Sequence, residues 1–98
     1  MTSILYLMLK SPHEYSDLSI MGRIAGEAPC SVVLLNDAVL HVCNQESAEK
    51  LHSWVDEVYA MKDDIEARGL PVQGNVNIIE YADLVDLVME GFDQTITI

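Results

Sequence analysis

The sequence predicts an α/β fold in which a mostly parallel sheet carries helices on its faces. Two short unbroken apolar runs, residues 4–9 and 32–35, have the length of strands and are typical of strands covered on both faces. Residues 81–92 have the spacing of an amphipathic helix. Between these segments predicted strands and helices alternate, which favours parallel strands joined by crossover helices.

The first half of the chain predicts strand, helix, strand and a short turn. Residues 4–9 form the first strand. Ser11 can cap a helix whose first turn is residues 12–14. In that turn a proline suits the first helical position and a glutamate completes a capping box. Apolar residues then recur at helical spacing until Gly26. Residues 31–35 form the second strand, and residues 38–42 form a short helix or turn.

The second half alternates in the same way. A polar helix at residues 47–53 precedes a third strand within residues 55–61. A brief helix at residues 62–68 ends at Gly69, and residues 70–75 form a loop. We expect a fourth strand at residues 76–79, a helix at residues 81–92 and a final strand at residues 94–98. The predicted inward positions of that last helix are Tyr81, Leu84, Val85, Val88 and Phe92.

The size and apolar content of the chain suggest a single domain with an interface. A chain of 98 residues has room for one core, so we expect one domain over residues 1–98. Half of the residues are hydrophobic, and we expect a core of this size to leave some of their apolar surface unburied. The candidate contact surface is the segment after the second strand, with Leu40, His41 and Val42 as its residues, because exposed apolar patches usually mark interfaces.

The charge balance excludes several partners. Sixteen acidic residues face five basic ones, giving a formal net charge of −11. Nucleic-acid binding needs clustered Lys and Arg to displace counterions, so we expect no direct nucleic-acid contact, and an anionic membrane is disfavoured for the same reason. The acidity either keeps an apolar protein soluble or complements a basic partner.

The cysteine count and the apolar runs favour a cytoplasmic protein. Two cysteines are too few for a disulfide framework. No basic segment followed by a long apolar run indicates a secretory signal, and the apolar runs are too short to span a bilayer. We therefore expect free thiols in a reducing cytosol.

Four segments together resemble the DsrH/TusB family, the smallest subunit type of the DsrEFH and TusBCD sulfur-transfer complexes. They follow in order along nearly the whole chain: KSP at residues 10–12, VLLND at 33–37, VYAMKDDIEARGL at 58–70 and EYADLVDL at 80–87. The third and fourth are the most specific, and only a short loop separates them. The chain is thus identified as similar to this family.

The resemblance implies a fold, an assembly and a chemistry. The fold would be a three-layer α/β/α sandwich on a five-stranded sheet. The working form would be a hetero-hexamer with DsrE/TusD-like and DsrF/TusC-like subunits. In such complexes a cysteine of the DsrE or TusD subunit carries persulfide sulfur, toward 2-thiouridine at the tRNA wobble position in the Tus relay, or within sulfur oxidation in the Dsr system.

Three departures from the family pattern limit what carries over. Some DsrH members have a carrier cysteine on the first helix, whereas Met21 stands at that position here. A thioether cannot form a persulfide, so that role is not expected. Ala38 follows Asp37 where the family often has glycine, and the chain ends in Ile98 without the usual nearby aromatic residue.

The two cysteines are the candidates for any sulfur chemistry of this chain. Cys30 lies at the N-terminal edge of the second strand, the wrong end for an open α/β site. Cys43 lies in a polar stretch two residues after His41, which could assist a thiolate. Acidic surroundings oppose thiolate formation, so Cys43 is a weak candidate and Cys30 a weaker one.

No motif indicates a cofactor or a metal. The three histidines have no metal-ligand spacing, and the sequence has neither a glycine-rich phosphate loop nor a nucleophile elbow. Asp37 and Lys62 follow strands as in receiver domains, but the paired acidic residues after the first strand are missing, so that analogy concerns the fold only.

Three functions remain open at this point. The leading hypothesis is an accessory, non-catalytic subunit that shields a sister subunit's persulfide. The second is a sulfur carrier that uses Cys43. The third is a homo-oligomeric structural or regulatory α/β domain without sulfur chemistry.

Overall fold

The computed structural model describes residues 3–11, 18–69 and 71–98. Its centre is a five-stranded sheet with the strand order β4-β3-β2-β1-β5, and all four strand pairs are parallel. The strands are β1 (Ile4–Met8), β2 (Cys30–Leu34), β3 (Glu57–Met61), β4 (Asn77–Ile79) and β5 (Gln94–Thr97).

Helical segments connect these strands. They are α1 (Ser19–Ala25), a 3₁₀ helix (Asn36–Val42), α2 (Gln45–His52), α3 (Lys62–Arg68), α4 (Tyr81–Asp86) and a π-helical turn (Leu87–Gly91) that continues α4. The predicted α/β fold class is confirmed, and the sheet is wholly parallel in the described part of the chain.

Most helices lie on one face of the sheet, here called the first face. Tyr6 and Met8 of β1 and Val32 and Leu34 of β2 point to this face, and all four are fully buried. The residues packed on them come from α1, the 3₁₀ helix, α2 and α3: Leu18, Met21, Val39, Val42, Ala48, Leu51 and Ile65. This cluster is the larger of the two cores.

Among the described residues, α4 and the π turn pack on the second face. Side chains alternate along a strand, so Leu5 and Val33 point away from the first face, and both are fully buried. The residues that cover this face come from α4, the π turn and the residue after it: Leu84, Leu87, Val88 and Phe92. Helices on both faces make the three layers that the sequence resemblance implies.

The α4 segment contains the main error in the sequence-based prediction. Tyr81 and Val85 were expected to face inward, but the structure leaves them 73% and 41% exposed. Leu87 takes part in the packing instead. The segment is apolar around more than half of its circumference, so its periodicity alone does not define the inward side.

Helix ends agree with the local sequence. The Asn44 side chain accepts a hydrogen bond from the Ser47 N–H at 3.2 Å and so caps α2, which begins two residues earlier than predicted. Gly69 ends α3 in the left-handed conformation, with φ 63°.

Some predictions fall outside the described residues, namely the first turn of the predicted first helix at residues 12–14, with His13, and the loop residue Leu70. In the part of the chain that the structure describes, no helix has the length and apolar character needed to cross a bilayer.

Tyr6 gives a test of the larger core. Its buried hydroxyl donates a 2.6 Å hydrogen bond to the Met21 carbonyl and so links β1 to α1. We expect Tyr6→Phe to lower the free energy of unfolding by about 1 kcal/mol, because a buried hydrogen bond is lost while the ring still fills its space.

Urea unfolding of the wild type and Tyr6→Phe measures this difference. Tyr81→Phe is the matched control, because Tyr81 is exposed and its hydroxyl lies outside both cores. Equal stabilities of Tyr6→Phe and Tyr81→Phe would contradict the assigned role of the Tyr6 hydroxyl.

Candidate functional site

The carboxyl ends of β2 and β3 bring several polar residues together. Asn36 follows β2 with a φ of 52°, a left-handed conformation that asparagine tolerates better than most residues. Its backbone N–H donates to the Asp64 carboxylate at 3.0 Å. This bond ties the end of β2 to the first turn of α3.

Arg68 completes this connection from the last turn of α3. Its guanidinium donates to the Asp37 carboxylate at 2.6 Å and to the Asp64 backbone carbonyl at 2.9 Å. The Arg68 side chain is 24% exposed, but that of Asp37 is 67% exposed, so solvent screens this pair and its contribution to stability is small. The arrangement fixes the 3₁₀ helix against α3 at the carboxyl edge of the sheet.

Cys43 lies at the end of the 3₁₀ helix, immediately before the capping residue of α2. The thiol is partly buried and donates to the Val39 carbonyl at 3.4 Å. Burial raises the pKa of the Cys43 thiol, and the positive charge of Arg68 opposes this rise only in part. The thiolate that sulfur transfer needs is therefore scarce at neutral pH.

His41 does not pair with Cys43. Its ring is buried, and Nε2 lies 3.1 Å from the Lys10 carbonyl oxygen beyond the end of β1. Burial lowers the pKa of His41, and the hydrogen bond to the Lys10 carbonyl opposes this shift. The imidazole holds the end of β1 instead of activating a thiol.

Cys30 is the first residue of β2, at the amino edge of the sheet. It is only 6% exposed, and its Sγ donates to the Trp54 carbonyl at 3.3 Å. Burial raises the pKa of the Cys30 thiol, and the negative charge of Asp56 raises it further. Cys30 therefore has the environment of a structural cysteine.

The three predicted contact residues separate in the structure. Leu40 is partly buried, whereas His41 and Val42 are 2% and 0% exposed. The expectation that they share one exposed surface is wrong for His41 and Val42. In a 3₁₀ helix residues three apart lie above one another, so Val42 stacks with Val39 toward the core and His41 stacks with Ala38.

Met21 occupies a site closed to solvent. Its side chain is fully buried in α1, and its carbonyl accepts the Tyr6 hydroxyl. Met21 is therefore a packing residue of the larger core.

An open groove with acidic sides lies beside α4. Its volume is about 400 Å³. The apolar and aromatic part of its lining is Tyr59, Ile79, Leu87 and Gly91, and the carboxylates are Asp83, Asp86 and Glu90. Burial raises the pKa of Tyr59, and the charge of Glu57 adds to the rise, so this phenol stays protonated. No pattern in the sequence predicts this groove.

No metal cluster is found among residues 3–11, 18–69 and 71–98, where no three His, Cys, Asp or Glu side chains come close enough to hold an ion. The pairing of Arg68 with Asp37 has no signal in the sequence, since the two residues meet only through tertiary packing.

The raised thiol pKa values predict slow alkylation. A thiol with a raised pKa has a smaller thiolate fraction at pH 7, so both cysteines should react with iodoacetamide more slowly than glutathione does at that pH. The alkylation rate should also keep rising above pH 8.5, which is near the usual cysteine pKa. Cys43 should react before Cys30, because Cys30 is more deeply buried. Intact-mass time courses on Cys30→Ser and Cys43→Ser variants resolve the two rates.

Arg68→Gln provides a control for the electrostatic part of this prediction. It should slow the alkylation of Cys43 further and leave Cys30 unchanged, because the Arg68 charge acts on the Cys43 thiol. A Cys43 thiol that reacts faster than glutathione at pH 7 would contradict the structure-based assignment.

Comparisons with known proteins agree with this fold. The structure resembles the crystal structure of the ychN protein from E. coli, with a TM-score of 0.74, 19% sequence identity and full coverage of both chains. This likeness concerns the fold.

The sequence relatives are more specific. The chain is 31% identical over 94 residues to Protein TusB of Buchnera aphidicola subsp. Baizongia pistaciae and 30% identical over 94 residues to Protein TusB of Photorhabdus laumondii subsp. laumondii. Each alignment covers 93% of this chain and 97% of the relative. The DsrH family, described as "DsrH like protein", matches residues 10–94. The chain therefore belongs to the DsrH family.

Proposed function

We propose that this chain is an accessory, non-catalytic subunit of a cytosolic sulfur-transfer complex. The observation that carries the proposal is the state of its two thiols. Cys30 is buried and Cys43 is partly buried, each thiol donates to a backbone carbonyl, and each has a raised pKa. A persulfide carrier needs the opposite, a reachable thiolate stabilised by positive charge.

Family membership supports the sulfur-relay part of the proposal. The sequence resemblance implies a hetero-hexamer with DsrE/TusD-like and DsrF/TusC-like subunits, in which a sister subunit's cysteine holds the sulfur. The curated relatives are TusB proteins, which favours a relay toward tRNA 2-thiolation over sulfur oxidation. Because this chain has a net charge of −11, we expect other subunits of the complex to contact the RNA.

The physical role in such a complex is to limit access to the persulfide. A persulfide loses its outer sulfur to any thiolate that reaches it. A neighbouring subunit without a reactive thiol can cover the carrier cysteine without competing for the sulfur. The protonated state of Cys43 and the burial of Cys30 suit this role.

The alternative of a carrier based on Cys43 lacks support from the local contacts. The His41 ring bonds to the Lys10 carbonyl, and the Cys43 thiol bonds to the Val39 carbonyl. A homo-oligomer without sulfur chemistry would bring copies with a charge of −11 into contact, which repulsion opposes.

Co-expression tests the proposal. The chain is produced with the DsrE-like and DsrF-like proteins of the same genome, and native mass spectrometry measures the assembly. We expect a complex that contains all three chains. As a control, the same experiment with only one sister protein tests whether this chain binds that protein in the absence of the other. A chain that remains monomeric beside both sister proteins would contradict the proposal.

A further inference from the structure

Helix α4 and the π turn present an apolar stripe to solvent. Tyr81, Val85 and Met89 are 73%, 41% and 74% exposed. They follow one another at intervals of four residues, so they lie along one side of the helix. Single exposed apolar residues are ordinary, but a continuous line of them marks a contact surface. These three residues are called the α4 stripe below.

The π turn places Met89 on this stripe. A π turn is wider than an α turn, so each residue rotates less around the axis. Leu87 and Val88 pack on the second face of the sheet, while Met89 between Val88 and Glu90 points to solvent. Single π turns are found disproportionately at functional sites, and this one extends the stripe beyond the last residue of α4.

Carboxylates follow the stripe on one side of the helix, where Asp86 lies three residues before Met89. Asp86 and Glu90 are exposed, and with Asp83 they line the groove beside Tyr59. The surface of α4 therefore changes from apolar to acidic around its circumference. An apolar centre with a charged rim is the usual organisation of a protein interface, and tyrosine and methionine are enriched in such centres.

The charges decide which kind of partner fits. A second copy of this chain would bring its own carboxylates and a charge of −11 against the same surface. A nucleic acid or an anionic membrane would be repelled in the same way. The complementary occupant is a protein surface with an apolar centre and lysine or arginine at its edge.

We propose that the α4 stripe, together with Asp86 and Glu90, is the docking surface for a sister subunit whose contact face is apolar and edged with basic residues. This inference rests on the proposed function and adds which face of the chain the sister subunit covers. The apolar residues supply the tight contact, and the carboxylates orient the partner and speed its association.

One experiment measures the apolar part of this surface. The double variant Tyr81→Ser/Met89→Ser is compared with Ile24→Ser, which changes another exposed apolar residue, on α1. Binding to the co-expressed pair of DsrE-like and DsrF-like proteins is measured by surface plasmon resonance, with circular dichroism as the check of folding. We expect the double variant to bind about tenfold or more weakly, and Ile24→Ser to bind like the wild type.

A second pair of variants measures the charged part. Asp86→Lys/Glu90→Lys is compared with Glu46→Lys/Glu49→Lys on the exposed side of α2, which changes the net charge by the same amount. We expect only the first variant to weaken binding, and we expect wild-type binding to weaken as ionic strength rises. An equal loss in both variants would overturn the inference, since it would show a general effect of charge.

The outcomes separate the inference from the proposed function. If the wild type does not bind the sister pair, the proposed function fails and the inference fails with it. If the wild type binds but the Tyr81→Ser/Met89→Ser variant binds as tightly, the proposed function stands and the inference is overturned. Self-association of the wild type that this double variant abolishes would also overturn it, in favour of a second copy on the stripe.

Discussion

A wholly parallel sheet has to be covered on both faces, because its strands are apolar on both sides. Among the residues that the structure describes, α1, the 3₁₀ helix, α2 and α3 lie on the first face, and α4 with the π turn lies on the second. In this part of the chain one helical segment covers Leu5, Val33, Met61 and Ile79 of that face with Leu84, Leu87, Val88 and Phe92. The remaining apolar residues of that segment stay outside, where a partner can use them.

The same packing determines what chemistry is left to this chain. At the carboxyl edge of the sheet, Asn36, Asp64 and Arg68 are engaged with one another and with Asp37 in contacts that hold α3 to the 3₁₀ helix. The thiols donate to backbone carbonyls. On α1, Met21 is buried in the core. Structural contacts thus fill the places where a carrier would need an exposed and activated group.

The first two strands were predictable from the sequence because continuous apolar runs are local features. Helix α3 was predictable because residues at its start and Gly69 at its end mark its limits locally. The register of the helices was harder to predict. The α4 segment has more apolar residues than one face needs, so only the position of the sheet decides that Leu87 packs inward and Tyr81 does not. His41 and Val42 were assigned to a surface because their 3₁₀ geometry is invisible in a search for α-helical periodicity. The environment of Cys43 depends on Arg68, which lies far away in the sequence.

The central claim is that this chain belongs to a sulfur relay without carrying the sulfur. The most direct measurement loads the assembled complex with a cysteine desulfurase and cysteine and then determines the mass of each subunit under non-reducing conditions. The account predicts that one added sulfur appears on a sister subunit and none on this chain. Added sulfur on this chain that Cys43→Ser abolishes would contradict it.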